Sequence, residues 1–357
     1  MTWVRHLHVS DLRNIREVHL PLQPGLNVLV GCNGQGKTSL LEALAILARG
    51  RSFRTEQLRS VVRWGQERAS VRGLAVDQEH ESHLQVEVTA RARRLKLGGS
   101  DVTPRGYNGR LEVAFYSTER LKVVRGTMRE RRQYFDRSAA ALWPAYRRLL
   151  RDYQRAQTQR GAAIESGSRD LAVWDDALVA LGAQLRCRRA SYLALLQAAL
   201  DGGYRPAAER YTVGLDLAEL PADEEDARRQ LRAELDQRRA DERARRRGLV
   251  GPHRDPIRLH VDGHDASHTA SSGQIRSLLL ALTLAALDVY RNQTGRTAVA
   301  LLDDLDSELD EQRLRRLCHE VVTRGQAVVT TAHPRWPTRL DDPPSVFEVV
   351  AGAVRPA

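Results

Sequence analysis

A glycine-rich octapeptide near the start of the chain restricts the fold more than any other feature of the sequence. It follows an apolar stretch, 26–30, that is typical of a buried strand, and it precedes a helical pattern that ends at Gly50. A phosphate-binding loop requires this strand–loop–helix context, and the octapeptide fits the pattern Gly-x-x-x-x-Gly-Lys-Ser/Thr in full. Its residues, all predicted to contact a nucleotide, are Gly31, Cys32, Asn33, Gly34, Gln35, Gly36, Lys37 and Thr38.

The chemistry of this loop predicts ATP and Mg²⁺ as cofactors. Glycines let backbone N–H groups turn inward around phosphates, Lys37 brings a flexible positive charge to the β and γ oxygens, and Thr38 offers its hydroxyl to Mg²⁺. The N-terminus of the following helix adds a favourable dipole. Lysine occurs only at positions 37, 96 and 122, so its presence here favours a nucleotide site over a chance glycine-rich turn.

A second candidate segment lies near the other end of the chain. An apolar stretch, 299–302, ends in two adjacent carboxylates, Asp303 and Asp304. Together with the loop, they predict a catalytic pair in which Asp303 holds Mg²⁺ through water and Asp304 orients the attacking water. Alone, such a strand end is typical of a turn or helix cap. The next segment, 306–310, is predicted to line a dimer interface, to cap the following helix, or both.

A serine–glycine segment before a long apolar helix resembles the signature motif of ABC ATPases. Ser271, Gly273 and Gln274 lie where that helix begins, and a hydroxyl, glycine amides and a helix N-terminus together form an anion site. We expect this segment of one subunit to cap the γ-phosphate bound by the loop of the other. An ordinary serine N-cap is the alternative, but the order of loop, signature and acidic strand end favours an ABC arrangement.

A polar group after another apolar strand is a candidate sensor of the γ-phosphate. His333 follows the stretch 327–330 and is assigned this catalytic role. Thr331 is the alternative sensor, and an ordinary loop histidine is the other interpretation.

Strand and helix patterns alternate at both ends of the chain, whereas the middle is mainly helical and rich in arginine. This organisation predicts an α/β fold in which an ABC-type P-loop ATPase head is assembled from both chain ends. We assign 1–118 and 251–357 to the head, and 119–250 to an inserted, mainly helical arm. No apolar heptad repeat is sustained, which argues against a long coiled coil.

The balance of charges points to a polyanionic partner such as DNA, or to an inert basic surface. The formal net charge is +11 and the sequence pI is about 10.1. Three widely spaced cysteines indicate neither a disulfide framework nor a zinc site. The start lacks the apolar run of a signal peptide, and the longest apolar stretch, 278–287, is about half the length that spans a bilayer. We therefore expect no membrane partner and a cytoplasmic location.

With these motifs in place, the chain resembles the RecF family, short-armed relatives of the SMC ATPases, over nearly its whole length. The most specific match is the Gly-Pro-His-Arg-Asp run at 251–255. The chain departs from the family pattern at 272–276, and at 115–120, which lacks the usual Pro and Asp and leaves the role of Glu119 open. The other matching segments are 12–14, 50–55, 126–136 and 174–175.

The resemblance implies a function that the residues alone do not. It implies Arg13 beside the nucleotide, an ATP-dependent homodimer and slow ATP hydrolysis. It implies binding to single-stranded, duplex or gapped-junction DNA, with RecR and RecO as partners. The implied roles are gap repair in DNA replication and recombination, support of recombinase loading, and SOS induction.

Three other classes of protein use some of these motifs. Two features argue against an ATPase subunit of a membrane transporter: the roughly 230 residues between loop and signature, and the basic, arginine-rich insertion. An SMC-like structural ATPase would need a long heptad arm and a hinge. A small-molecule kinase would have no use for a signature segment. An ATP-dependent change from a monomer to a dimer that retains DNA would distinguish a RecF-like protein from all three classes.

Overall fold

A computed structural model describes residues 1–357 except 79, 169, 306–310 and 334–342, and at 118, 119 and 311 it describes the backbone only. The chain divides into two compact units, 1–120 with 279–357 and 121–278. The first boundary falls two residues from the expected head–arm boundary, whereas the second falls at 278 instead of 250.

Regular elements occupy most of the described residues and follow the sequence patterns closely. The strands are β1 (Thr2–Leu12), β2 (Ile15–Pro21), β3 (Leu26–Val30), β4 (Arg68–Asp77), β5 (His80–Thr89), β6 (Arg93–Leu97), β7 (Ser100–Asp101), β8 (Val113–Tyr116), β9 (Tyr211–Leu215), β10 (Ile257–Val261), β11 (His264–Asp265), β12 (Val299–Leu302), β13 (Ala327–Thr331), β14 (Ser345–Val350) and β15 (Ala353–Pro356). The α-helices are α1 (Lys37–Arg49), α2 (Pro104–Tyr107), α3 (Lys122–Arg125), α4 (Met128–Leu142), α5 (Pro144–Glu165), α6 (Ala172–Gly202), α7 (Glu224–Arg245), α8 (Ala266–Thr269), α9 (Ser272–Thr294) and α10 (Glu311–Val322).

A mainly parallel sheet in the first unit draws its strands from both ends of the chain. Its order is β15-β14-β3-β13-β12-β8, with β15 antiparallel to its neighbour. Every residue of β3, β12 and β13 is buried, as expected for central strands of a parallel sheet. The predicted α/β fold assembled from both chain ends is confirmed.

A second six-stranded sheet in the first unit is antiparallel, in the order β2-β1-β4-β5-β6-β7. Helix α1 contacts β1, β4 and β5 of this sheet and also β8 and β13 of the parallel sheet. Its side chains from Ser39 to Ala48 are therefore all buried. One sheet would bury a single face of this helix, and the second sheet explains why burial extends around it.

The second unit is mainly helical but contains a small sheet that the sequence did not predict. Strand β10 pairs with β11 on one side and with β9 on the other, in register from Ile257 opposite Leu215 to Val261 opposite Tyr211. Because β9 lies within the expected arm, this pairing places 251–278 with the helices rather than with the P-loop sheet.

Helix α9 contains the longest apolar stretch of the sequence, 278–287. By length and composition it could cross a membrane, a property it shares with core helices of soluble proteins, and 61% of its most apolar window is buried. Most of its apolar residues are buried within the structure, as those of a core helix are.

Candidate nucleotide-binding site

Strand order brings the predicted nucleotide-binding segments together at one edge of the parallel sheet. Strand β13 lies between β3, which leads into the glycine-rich loop, and β12, which leads into Asp303. The loop begins on the sheet itself, because the Gly31 N–H donates to the Thr331 carbonyl over 3.2 Å. The carboxyl ends of three neighbouring strands thus form a single site, where α/β sheets usually bind ligands.

Two glycines give the loop its shape for steric reasons. Gly36 ends the loop with φ of 115°, a left-handed conformation that side chains other than glycine rarely adopt. At Gly31, a Cβ atom would lie 2.3 Å from the Val349 carbonyl oxygen of the neighbouring strand. Gly36 therefore allows the backbone to turn at the end of the loop, and Gly31 allows the loop to pack closely against β14.

The ammonium group of Lys37 is held over the loop. Its Nζ donates to the carbonyl oxygens of Gly31 and Cys32, the latter at 3.0 Å, and the residue is 8% exposed. The charge is therefore positioned inside the curve of the loop, where a phosphate group would be cradled.

The Thr38 hydroxyl and the Asp303 carboxylate form a pair that suits a magnesium ion. Thr38 Oγ1 lies 3.0 Å from each oxygen of Asp303, which is 7% exposed. Mg²⁺ prefers oxygen ligands at about 2.0–2.1 Å in an octahedron, so adjacent ligands lie about 2.9 Å apart. The spacing of these two residues suits neighbouring positions around one magnesium ion, and their role as its ligands stays a prediction.

Thr330, which sequence reasoning missed, joins the two acidic residues. Its hydroxyl donates to Asp303 Oδ1 over 2.7 Å and accepts the Asp304 N–H over 2.9 Å. Asp304 has φ of 55°, an uncommon conformation for a residue other than glycine. Thr330 therefore fixes both the orientation of the Asp303 carboxylate and the turn that directs Asp304. Only the insertion of β13 between β3 and β12 reveals this role.

Two hairpin turns support the loop from outside. Asn14, in the β1–β2 turn, donates to the Gly34 carbonyl over 3.3 Å and accepts the Ser39 hydroxyl over 3.1 Å. Gln35 accepts the Gly352 N–H, from the β14–β15 turn, on its carbonyl oxygen over 2.8 Å. The side chain of Gln35, predicted to contact the nucleotide, also accepts the N–H of Ala351 over 2.5 Å.

Arg13, expected beside the nucleotide, holds the P-loop helix in this structure. Its Nε and Nη2 donate to Glu42 over 2.9 and 2.8 Å, and Glu42 is completely buried in α1. The hydrogen bond to Glu42 raises the pKa of Arg13 above its ordinary value. A nucleotide contact of Arg13 stays a prediction, and the observed contact is structural.

The signature segment forms a helix cap in the second unit. The Ser271 hydroxyl accepts the Gln274 N–H over 3.2 Å, and the Ser271 N–H donates to Gln274 Oε1 over 2.9 Å. This reciprocal pair is a capping box at the start of α9. Ser271 and Gly273 are exposed. In the single chain, Ser271 therefore acts as a helix cap. The Ser271 hydroxyl and Gly273 nevertheless stay accessible to a second chain.

The two candidate γ-phosphate sensors differ in exposure. Thr331 is 1% exposed and its hydroxyl accepts the His333 N–H over 2.9 Å, whereas His333 is exposed. Their roles stay predictions. The segment 306–310 and the side chain of Glu119 lie outside the described residues.

Several segments that resemble the RecF family meet inside the second unit as buried ion pairs. Arg189 pairs with Asp136 and Arg186 with Asp255, both through two hydrogen bonds. Arg160 donates to Asp175, of the Trp-Asp segment, over 2.6 Å. Removing one partner of such a pair leaves an uncompensated buried charge. These residues therefore hold the second unit together.

Among the described residues, one group of potential metal ligands lies on the β1–β2 hairpin. Ligand atoms of His8, Glu17 and His19 lie within 4.8 Å of one another. The two imidazole rings stack with centroids 3.9 Å apart and planes inclined by 14°. Because ring-nitrogen lone pairs lie in the ring planes, and these planes are stacked and nearly parallel, the lone pairs do not converge on one ion. We therefore assign no metal to this group.

Comparison with known proteins gives a consistent result. The family model described as the RecF/RecN/SMC N terminal domain matches residues 3–354. The DNA replication and repair protein RecF of Frankia alni is 37% identical over 350 residues, 92% of each chain. The protein of the same description from Symbiobacterium thermophilum is 35% identical and covers 91% of this chain and 90% of its own.

Solved structures agree on the fold. A structure of the recombination mediator protein RecF with ATP in the RecFOR pathway has a TM-score of 0.89 at 24% identity, covering 100% of this chain and 99% of its own. An Smc head domain of Pyrococcus furiosus, bound to the C-terminal domain of ScpA, has a TM-score of 0.58 at 13% identity, with 100% and 96% covered.

Proposed function

This chain belongs to the RecF family of DNA replication and repair proteins, within the RecF/RecN/SMC group, and we propose that it is an ATP-controlled dimer that holds DNA during recombinational gap repair. The observation that carries this proposal is the 3.0 Å approach of Thr38 to Asp303 beside the loop that holds Lys37. This arrangement suits Mg²⁺-ATP.

Each residue of the site has a distinct task in binding and hydrolysis. Lys37 and the loop amides bind the phosphates, and Thr38 and Asp303 hold Mg²⁺, which when bound neutralises charge on the β and γ phosphates. Asp304 orients the attacking water, and Thr331 or His333 senses the γ-phosphate. Hydrolysis is slow, so that ATP acts as a switch.

ATP drives two copies together head to tail. The exposed Ser271 and Gly273 of one copy, with Gln274, cap the γ-phosphate bound to the loop of the other. A serine hydroxyl and helix N-terminal amides suit an anion. Each nucleotide is thus enclosed by two chains, and its hydrolysis lets them separate.

The closed dimer binds DNA chiefly through phosphates. The net charge of +11 supports this partner, since cations placed on phosphates release condensed counterions. Membership in the RecF family supports RecR and RecO as partners, roles in recombinase loading and SOS induction, and a cytoplasmic location.

Light scattering coupled to gel filtration tests the switch. The 40.1 kDa chain should double its mass with Mg²⁺-ATP but not with Mg²⁺-ADP. The ATP-bound dimer should then retain labelled gapped DNA on a filter. A chain that binds ATP but keeps one mass and the same DNA affinity with either nucleotide would contradict the proposal.

A further inference from the structure

The indole of Trp64 is the most exposed of the large apolar side chains in the described part of the chain. It is 97% exposed, whereas the other exposed large apolar residues range from 36% to 71%. It lies in a turn between the 3₁₀ helix Leu58–Val61 and β4. An indole offers roughly 150–250 Å² of mainly apolar surface, which proteins normally bury in a core or an interface.

The turn that carries Trp64 is firmly held, so its exposure is a property of the fold. The N–H of the preceding residue, Arg63, donates to the Asp11 carbonyl over 2.8 Å, and Arg63 Nε donates to Asp11 Oδ1 over 2.9 Å. The turn closes through the Gln66 N–H, which donates to the Arg63 carbonyl over 3.0 Å. An aromatic ring on a fixed backbone loses little conformational entropy when it binds a partner.

The same segment is joined to the P-loop helix through Arg13. Its Nη1 donates to the Ser60 carbonyl over 2.9 Å and its N–H to the Val61 carbonyl over 2.7 Å. Its other guanidinium nitrogens hold Glu42 of α1. Hydrogen bonds of Arg13 therefore connect the segment that leads into the Trp64 turn to helix α1, which begins at the nucleotide site.

The charges along the sequence segment that carries Trp64 indicate the kind of partner. Segment 51–72 contains six arginines and two glutamates, and no lysine or aspartate. Arginine binds phosphates with paired N–H groups, and an exposed indole stacks on a base. An acidic, base-containing polymer matches this combination. The arginines exposed in this segment are Arg51, Arg54, Arg59, Arg68 and Arg72.

We infer that Trp64 stacks on an unpaired base of DNA while neighbouring arginines contact the flanking phosphates. This inference rests on the proposed function and names the DNA structure that the first unit recognises. Bases in a duplex already stack on their neighbours on both faces, so the indole favours the single-stranded part of a gap.

Binding of the full chain with Mg²⁺-ATP to three fluorescent DNAs tests the inference: an oligo-dT strand, a gapped duplex and a blunt duplex. Trp64→Ala should weaken binding to the strand by about 5- to 150-fold, the range for one stacked base, and leave the blunt duplex within about 2-fold. Trp64→Phe should retain most of the affinity for the strand. Leu220→Ala, at an exposed apolar residue of the second unit, is the matched control and should change nothing.

Salt titration separates stacking from charge. Trp64→Ala should lower affinity for the strand without changing its dependence on salt, whereas Arg59→Gln should make that dependence shallower. Melting temperatures should match the wild type, since the indole has almost no contacts to lose.

Three outcomes would overturn the inference. One is that Trp64→Ala binds the single strand as tightly as the wild type. Another is equal weakening on all three DNAs. The third is loss of ATP-driven dimerisation, which would make the turn an interface between two copies of the chain. Wild-type protein that binds none of the DNAs would instead refute the proposed function.

Discussion

The hydroxyl oxygen of Thr38 lies 3.0 Å from both carboxylate oxygens of Asp303, although 265 positions separate the two residues in the chain. Thr38 lies in the first turn of α1 and Asp303 follows the end of β12. They meet because β3 and β12 flank the same strand and point the same way.

Replacing Lys37 by methionine should weaken ATP binding by about 10- to 150-fold, the range for losing a charge-assisted hydrogen bond, and should abolish ATP-driven dimerisation with it. Methionine keeps the length of the side chain but not its charge. Calorimetric titration with Mg²⁺-ATP measures the loss. Lys96→Met is the matched control, because Lys96 pairs with Glu87 on the antiparallel sheet. Equal ATP affinity in both variants would reject the loop assignment.

Replacing Thr330 by valine should slow ATP hydrolysis by about 10- to 100-fold, as removal of groups that orient metal ligands usually does. Valine has nearly the same shape but neither donates to Asp303 nor accepts the Asp304 N–H. ATP affinity should fall less than turnover, because the loop and Lys37 are intact. Thr330→Ser restores the hydroxyl and should recover most of the rate. Valine and serine variants with the same turnover would show that the hydroxyl has no positioning role.

Replacing Asp304 by asparagine should preserve ATP binding and slow hydrolysis, so that a stable dimer accumulates on DNA. Asparagine tolerates the positive φ of this position, so the backbone should keep its shape. Asp303 remains available for the metal. Single-turnover hydrolysis and filter retention of DNA measure the two effects. Wild-type turnover would transfer the water-orienting role to another residue, with Glu119 as the next candidate.

Replacing Ser271 by arginine should leave ATP binding to the single chain nearly intact and block ATP-driven dimerisation. The bulky cation would replace the hydroxyl that approaches the γ-phosphate of the partner. Because Ser271 also caps α9, Ser271→Ala is needed as a control: it removes the cap, at a cost of about 1 kcal/mol, without adding bulk.

Mixing Ser271→Arg with Lys37→Met tests the composite geometry. In a head-to-tail pair, each nucleotide site combines the loop of one chain with the signature segment of the other. One site of the mixed pair would contain both substitutions, and the other would have an unchanged loop and an unchanged signature segment. Some nucleotide-dependent association should therefore return in the mixture. If Ser271→Arg alone dimerises as well as the wild type, the segment is only a helix cap.

His253 should make the stability of the second unit depend on pH. Burial, and next the charge of Arg254, lowers its pKa from 6.5 to about 4, with Arg132 and Arg160 also lowering it and Asp255 opposing them. The Tyr153 hydroxyl lies 2.6 Å from its Nδ1, and burial raises the pKa of Tyr153, so the phenol is the donor and the imidazole is neutral.

The unfolded chain binds a proton at His253 at a higher pH than the folded chain does. Between about pH 6.5 and about pH 4 the unfolded chain protonates this histidine and the folded chain does not, so the free energy of unfolding falls as the pH falls. The loss from about pH 7.5 to about pH 5 should be about 2 kcal/mol. Glutamine does not titrate. Over the same change of pH, the free energy of unfolding of His253→Gln should therefore fall by about 2 kcal/mol less than that of the wild type, as measured by denaturant unfolding. Parallel pH profiles for the two proteins would contradict the assignment.

Much of the site was predictable from sequence because its parts are local. The phosphate-binding loop is defined by consecutive residues whose strand, turn and helix preferences agree, and Asp303 was identified by the apolar strand that precedes it. The bounds of β3 and β12 match the predicted stretches for the same reason. The family resemblance also rests on short runs of sequence.

The tertiary structure decided what depends on the order of strands. Thr330 was missed because its role requires β13 to lie between β3 and β12, and strand order is set by long-range packing. The pairing of β9 with β10 likewise moved 251–278 out of the unit that the sequence assigned it to. A nucleotide contact of Arg13 stays a prediction, whereas its contact with the buried Glu42, whose charge needs a partner, is seen only in the folded chain. Local preferences along the chain determine the elements and the loop, whereas hydrogen bonds and ion pairs between distant residues form only once the sheet has set their neighbours.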